Sequence, residues 1–271
     1  MTTFKRSFFL VSLLVILLKL SLFTVEEKAL PFVIILVDAP YFDYKDGNSF
    51  FESLKKRAKN TEATFGHAWV LLKGTLKGKP LFFECGFSGE RGDIGYFKGM
   101  DQLFRKKDPN PVRYLQTPLK DGFLEQGAGK HTPTMAAKIN LTDDQFEAIF
   151  NFIGSYSYPT YDLSSKQCVT FIADILGVID LTVDTWTRIS IPEWLTIEGQ
   201  NYRMWSDKRF SSFCFHSPDA LEYELSRLIK EGKAQEAYED YFTLKQAYNS
   251  QVQFEPPPLH ATRCQQIKLR R

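Results

Sequence analysis

The sequence predicts an α+β fold in which an antiparallel sheet packs on a helix that begins near Cys168, with further helices toward the C-terminus. Residues 31–38 are apolar and rich in β-branched side chains, which is typical of a buried strand. The runs FGHAWVLL and PLFFECGF flank a stretch of glycine and lysine, which indicates a β-hairpin. Two later segments repeat apolar residues at helical spacing, so the sheet has helices to pack against.

The polar stretch 39–64 follows the first strand and contains SFFESLKKRAKN, which predicts an amphipathic helix or a mobile segment. In the hairpin that comes next, a turn centred between residues 75 and 76 places His67 directly opposite Glu84. Cys85 then points to the opposite face of the sheet, where we expect it to belong to the core. Residues 88–130 are rich in glycine, proline and charge and predict loops.

Two helices follow, each with a capping box at its start. Thr142 precedes Gln145 by three residues at the head of the first helix. Ser164 and Gln167 form the same pattern before the second helix, which Gly177 ends. A cap at Ser164 or the next serine places Cys168 in the first helical turn.

The chain is predicted to contain one main domain with appendages. Residues 31–216 form this domain, because 180–216 read as loops and short elements that continue it. Residues 217–250 have the pattern of one or two amphipathic helices and form a C-terminal extension. Residues 251–271 are a proline-rich, basic tail.

The composition argues against several classes of protein. The 271 residues carry 34 Lys and Arg against 32 Asp and Glu, so no large basic surface is available for nucleic acid. The four cysteines form no C-x-x-C pair, which disfavours a zinc knuckle and a dense disulfide scaffold, although a single disulfide stays possible. We therefore expect no metal site, no cofactor and no nucleic-acid partner.

The N-terminus has the pattern of an export signal. Lys5 and Arg6 precede the apolar run FFLVSLLVILL, so residues 1–25 are a signal peptide or a signal anchor. Lys19 interrupts the run and no good cleavage site follows, which leaves both forms open. An uncleaved segment would associate the protein with the membrane. We expect an exported protein of the periplasm or cell envelope; a buried core helix is the alternative for this segment.

Cys168 and His67 are the candidate catalytic pair. Unpaired amides and the helix dipole at a helix start stabilise a thiolate, so we expect a lowered thiol pKa at Cys168. His67 is suited to take the thiol proton because an imidazole titrates near neutrality. Glu84 would orient that imidazole, and a carboxylate within an apolar strand needs such a partner. The alternative interpretation is that Cys168 and His67 are ordinary core residues.

The order GHAWVLL, LFFECG and QCVTF resembles the circularly permuted branch of the papain-like NlpC/P60 superfamily, which includes lecithin retinol acyltransferase-like and YiiX-like proteins. The resemblance covers roughly residues 31–180. It implies a papain-like permuted core with Cys168 as nucleophile, His67 as base and Glu84 as the polar third residue. It also implies an activity on amides, thioesters or acyl esters.

Three further residues are candidates for contact with a substrate. Tyr161 and Gln167 precede the cysteine closely enough to line the site, although an ordinary packed linker fits Tyr161 equally well. His131 lies in GAGKHT, which lacks the first glycine and the hydroxyl residue of a phosphate loop, so nucleotide binding is excluded there. This histidine either lines the pocket or is a plain loop residue.

The leading hypothesis is an exported or membrane-anchored cysteine hydrolase that cleaves an amide bond, in peptidoglycan peptide if the source is bacterial. One alternative keeps the site but acts as an acyltransferase or lipid esterase, with residues 180–216 forming an apolar pocket. The other is a non-catalytic envelope binding or scaffold module. The expected substrates are accordingly a peptide, peptidoglycan or an acyl lipid.

Overall fold

A six-stranded antiparallel sheet organises the part of the chain that the computed structural model describes, which comprises residues 30–60, 65–89 and 109–251. The strands in chain order are β1 (Phe32–Asp38), β2 (His67–Leu76), β3 (Lys79–Ser88), β4 (Phe123–Gln126), β5 (Met135–Asn140) and β10 (Gln235–Glu236). In space they follow the order β10-β5-β1-β2-β3-β4, so β1 and β2 are central.

Helices and two small sheets complete the described part. The helices are α1 (Gly47–Asn60), α2 (Asp143–Ser155), α3 (Cys168–Val178), α4 (Pro218–Lys230) and α5 (Tyr238–Gln251). Each small sheet is an antiparallel strand pair, β6 (Trp186–Ser190) with β9 (Ser212–His216) and β7 (Trp194–Ile197) with β8 (Gln200–Arg203). The α+β class and the antiparallel sheet are confirmed. None of the helices described is both apolar enough and long enough to span a membrane.

Strand β1 is apolar throughout because both faces of the sheet are covered at its position. Val33, Ile35 and Val37 belong to a core cluster shared with α2 and α3. Ile34 and Leu36 point to the other face, into a second cluster that contains side chains of α5. A strand buried on both sides has no reason to alternate with polar residues, which explains the continuous run that identified it.

The predicted hairpin exists, but its register differs from the prediction. Lys77 and Gly78, with φ of 50° and 77°, form a tight two-residue turn that right-twisted strands favour. Gly74, near the expected turn, lies within β2, where a Cβ would come within 2.6 Å of the Phe146 ring. Glu84 therefore faces Leu71 and not His67.

The strands slip by an even number of residues, so each side chain keeps its predicted face. Cys85 faces Val70 and is fully buried in the core cluster, as predicted. Glu84 stays on the same face as His67 but lies four residue positions farther along the hairpin, opposite Leu71. The register places Ser88, the last residue of β3, at the level of His67.

The two predicted caps have different outcomes. Thr142 caps α2 with the reciprocal bonds to Gln145, as predicted. The cap of α3 is Gln167, whose Oε1 accepts from the Val169 amide at 2.6 Å, so the predicted Ser164 cap is wrong. Ser164 turns away because its hydroxyl donates to Asp162 at 2.6 Å. Cys168 is consequently the first residue of the helix.

The C-terminal elements pack directly on the sheet. Helix α4 starts at its Ser217 cap and contacts β1 and β5, and β10 pairs with β5 at the sheet edge. Helix α5 covers the second face through Tyr241. These elements belong to the same compact unit as the sheet. The signal or anchor expected at 1–25 and nearly all of the tail expected at 251–271 lie outside the described residues.

Candidate active site

A cavity of about 250 Å³ opens where the ends of several elements meet. Its polar and titratable lining residues include Cys168, His67, His131, His216, Glu125 and Tyr161. Its apolar lining residues include Phe65, Phe123, Leu163, Phe215 and Pro218. Cys168 begins α3, His67 begins β2 and His216 ends β9. The fold thus brings the predicted cysteine and histidine to one cavity, although they lie a hundred residues apart in sequence.

The Cys168 thiol is buried, with 5% of the residue exposed. Its sulfur lies 3.2 Å from Gln167 Oε1, and the Ala68 amide and the Tyr161 hydroxyl lie within hydrogen-bonding reach. Burial raises the pKa of Cys168 to about 11, and these donors and the amides of the first helical turn offset that rise only in part. The expected lowering of the thiol pKa is therefore wrong, because desolvation exceeds the effect of the helix start. The side chain of Cys168 is consequently a protonated thiol at neutral pH.

His67 lies in a stack of rings on the second face of the sheet. Its ring centroid is 5.7 Å from that of Trp69 and 4.6 Å from that of His131. Gly86 allows this position, since a Cβ there would come within 2.7 Å of His67 Nε2. Burial, and next the neighbouring His131, hold the pKa of His67 well below its usual range. The imidazole is therefore neutral at neutral pH, the form that can accept a proton.

Glu84 is not part of the candidate site, which corrects the predicted Cys-His-Glu set. Its Oε1 accepts a hydrogen bond from Trp69 Nε1 at 3.0 Å and another from the Tyr241 hydroxyl at 2.7 Å. Lys245 Nζ lies 3.5 Å from the same oxygen. The changed hairpin register moves Glu84 beneath α5. The expectation that this carboxylate needs partners is correct, but its partners hold a helix on the sheet.

Glu125 on β4 is the carboxylate nearest to His67 among the described residues. Its Oε2 lies 3.5 Å from His67 Nε2 and accepts a hydrogen bond from the Ser88 hydroxyl at 2.5 Å. At this distance His67 Nε2 makes no hydrogen bond to the described part of the chain. Sequence reasoning missed Glu125 because the pairing of β4 with β3 joins two segments that are far apart in sequence. No local pattern in FLEQ reveals that pairing.

His131 lines the cavity, which is one of its two predicted alternatives. Its Nδ1 is 2.9 Å from Asp38 Oδ2, and the other oxygen of Asp38 accepts a hydrogen bond from Arg57 at 2.9 Å. Sequence reasoning missed Asp38. Its position at the end of an otherwise apolar strand was the available signal, because a buried carboxylate needs a partner.

Tyr161 and Gln167 both lie against Cys168. Burial raises the pKa of Tyr161 well above its usual range, so its hydroxyl remains a donor. Gln167 uses its Oε1 for the thiol and the cap of α3, and its Nε2 donates to the His216 carbonyl. Both ends of this side chain are thus engaged within the protein. A substrate-binding role for Tyr161 and Gln167 stays a prediction.

His216 is a further residue of the cavity lining. Its Nδ1 lies 2.7 Å from the Thr185 hydroxyl, and its ring centroid is 4.1 Å from that of Trp186. Burial lowers the pKa of His216, and Asp184 partly offsets this. The pairing of β6 with β9 brings Thr185 and Trp186 next to His216.

The described residues contain no group of three or more His, Cys, Asp or Glu side chains arranged to hold a metal ion. Comparisons with protein-family models, with curated proteins and with solved structures found no match to this chain. The resemblance to the permuted NlpC/P60 branch therefore stays a prediction.

Proposed function

We propose that the protein is a cysteine hydrolase that cleaves an amide bond through an acyl thioester on Cys168. The observation that supports this most is that the first residue of α3 is a cysteine facing the same cavity as His67 and His131. Tyr161 and the first-turn amides supply donors beside the sulfur. The same proposal includes two further expectations. Residues 1–25 act as a signal peptide or signal anchor, and the preferred substrate is a peptide of the cell wall.

The reaction begins when Sγ attacks the substrate carbonyl carbon and His67 takes the thiol proton. The C–S bond forms while the carbonyl electron pair moves to oxygen, where nearby donors stabilise it. The pair then reforms the carbonyl, the C–N bond breaks and the amine leaves with the proton from the imidazole. Water hydrolyses the thioester in the second half of the reaction and returns the thiol.

The two pKa shifts define the working pH range of this step. The base must be neutral, which holds above the lowered pKa of His67, and the thiol must carry its proton, which holds below about 11. A neutral thiol and a neutral imidazole therefore coexist across the neutral range. Proton transfer accompanies attack, since a preformed thiolate is scarce there.

Acyl esters are the second candidate substrates, and the apolar lining favours them. Phe65, Phe123, Leu163 and Phe215 contribute aromatic and aliphatic surface to the cavity. An acyl chain gains by leaving water for such surface. The nucleophile and base would be unchanged, and an acceptor alcohol or amine in place of water would make the protein an acyltransferase.

The test uses the purified full-length protein with three kinds of substrate: peptidoglycan-derived peptides, N-acyl anilides and acyl esters. Cys168→Ala should abolish turnover, whereas the matched variant Cys214→Ala should retain it because Cys214 lies on β9 and does not line the cavity. The preferred substrate decides between amide and ester. Equal turnover by the Cys168→Ala variant would refute the proposal, and binding without turnover would favour a non-catalytic module.

A further inference from the structure

His216 and Trp186 form an aromatic pair at the cavity that the proposed reaction does not use. Trp186 begins β6 and lies directly opposite His216, the last residue of β9. The two ring centroids are 4.1 Å apart with an interplanar angle of 41°. His216 lines the cavity and Trp186 is 58% exposed, so the indole extends the cavity wall toward solvent.

The imidazole of this pair is held from two directions. Its Nδ1 lies 2.7 Å from the hydroxyl of the buried Thr185. The backbone carbonyl of His216 accepts a hydrogen bond from Nε2 of Gln167, whose Oε1 lies 3.2 Å from the Cys168 sulfur. A chain of contacts thus runs from Trp186 to the sulfur. A wall held in this way keeps a fixed position relative to Cys168.

A second exposed aromatic side chain lies at the same cavity. Phe123 begins β4, lines the cavity and is 46% exposed. Single exposed apolar side chains are ordinary on protein surfaces, but several of them beside a concave site are typical of a place that binds an apolar ligand.

The charged side chains around the cavity come from one part of its lining. Glu125 lies on β4 and Lys130 lies in the loop that follows this strand. By contrast, β9 and the start of α4 contribute Phe215, His216 and Pro218. The part of the lining next to Trp186 is therefore aromatic and aliphatic.

This part of the lining favours an uncharged group. Burial lowers the pKa of His216, so its imidazole carries no charge at neutral pH. The carboxylate of Asp184 accepts a hydrogen bond from the Trp186 amide at 3.2 Å and would repel an acidic group. A basic group would exchange its hydration for contact with apolar side chains, which is costly. An apolar group gains by leaving water for the same surface.

We propose that Trp186 and His216 are specificity-determining residues that bind an uncharged, apolar group of the substrate beside the scissile bond. This inference rests on the proposed function for the bond that is cleaved. The preference for an apolar ligand is a property of binding and can be measured without turnover.

The test compares the p-nitroanilides of acetyl-leucine, acetyl-glutamate and acetyl-lysine, which differ only in the side chain before the scissile amide. The full-length protein should have a kcat/KM for the leucine compound at least about tenfold above that for either charged compound. Trp186→Ala should reduce this preference by about tenfold. Trp186→Phe should retain most of it, because an aromatic ring remains on the wall.

Trp194→Ala is the matched control. Trp194 is 57% exposed and begins a strand of the other small sheet, and it is not among the described residues that line the cavity. The preference for leucine should keep its wild-type value in this variant. Equal loss of preference in Trp186→Ala and Trp194→Ala, or a wild-type protein without a preference for leucine, would overturn the inference.

A binding measurement separates this inference from the proposed function. Calorimetry with the Cys168→Ala protein gives dissociation constants for the acetylated amides of leucine, glutamate and lysine. The leucine amide should bind most tightly, and the additional change Trp186→Ala should raise its Kd about tenfold. If the wild-type protein cleaves none of the anilides, the proposed amide hydrolysis fails, whereas the order of the dissociation constants still decides the inference. A charged amide that binds as tightly as the leucine amide, or a leucine amide that does not bind, would contradict it.

Discussion

Two glutamates on the same face of the sheet should respond in opposite ways to the same substitution. Glu84→Ala should destabilise the protein and leave the proposed catalytic groups, Cys168 and His67, in place. Glu125→Ala should impair catalysis and cost little stability. The contrast follows from their partners, because Glu84 contacts α5 and Trp69, whereas Glu125 lies beside His67 and Ser88.

The loss of stability expected for Glu84→Ala follows from the hydrogen-bond donors that the Glu84 carboxylate satisfies. Its Oε1 accepts from Trp69 Nε1 at 3.0 Å and from the Tyr241 hydroxyl at 2.7 Å, and both donor residues are almost fully buried. Burial and then the Glu84 carboxylate raise the pKa of Tyr241, so that hydroxyl stays protonated and needs an acceptor. Hydrogen bonds to a charged group are worth roughly 1.5–3 kcal/mol each. Lys245 is 36% exposed and adds only about 0–1 kcal/mol.

We therefore expect Glu84→Ala to lower the free energy of unfolding by about 3 kcal/mol, which corresponds to a fall in Tm of about 6–12 °C for a domain of this size. Glu125→Ala loses one bond, to Ser88, from a partly exposed side chain and should cost about 1 kcal/mol. Calorimetry measures both, with turnover of each folded variant recorded below its transition. A stable Glu84→Ala protein that has lost activity would refute this assignment and restore the sequence-based site.

Three further predictions concern the geometry around Cys168 and His67. Gly86→Ala should lower kcat at least about tenfold, because its Cβ would come within 2.7 Å of Nε2 of His67, while Gly154→Ala, with nothing within 4 Å in the described structure, should keep full activity. Gln167→Ala should lower stability by about 0.5–2 kcal/mol, as measured by chemical denaturation, because α3 loses its cap. Alkylation of Cys168 by iodoacetamide should be slow at pH 7 and accelerate toward about pH 11, because the thiolate forms only as pH approaches the raised pKa; a rate that levels off below pH 8 would contradict this.

Most of the secondary structure could be predicted because periodicity reports burial directly. Strand β1 is apolar on both sides since both faces of the sheet are covered, and α2 begins at the capping box that its sequence contains. The face of each hairpin residue was also predictable, because a shift by an even number of residues preserves it. For that reason the predicted core position of Cys85 is correct.

The hairpin register could not be read correctly from the same residues. Gly74 looks like a turn residue, yet it lies in β2 because the Phe146 ring packs closely over it. That contact depends on α2, which is distant in sequence. The turn forms instead at Lys77 and Gly78, and Glu84 moves away from His67 as a consequence.

The protonation states of the candidate site depend on tertiary burial and so were beyond sequence reasoning. A helix start does favour a thiolate, but the enclosure of Cys168 raises its pKa more than the amides lower it. In the same way, the hydrogen bond of His131 to Asp38 and its stacking on His67 form only in the folded sheet.

The most direct test of Cys168 as nucleophile is to trap its acyl intermediate. The full-length protein is mixed with the best substrate, quenched in acid within one turnover and mapped by peptide mass spectrometry. We predict one acyl group per chain, on the peptide that contains Cys168, bound as a thioester that hydroxylamine removes. An acyl group on another residue, or rapid turnover with an unmodified Cys168 and undiminished activity in Cys168→Ala, would contradict the account.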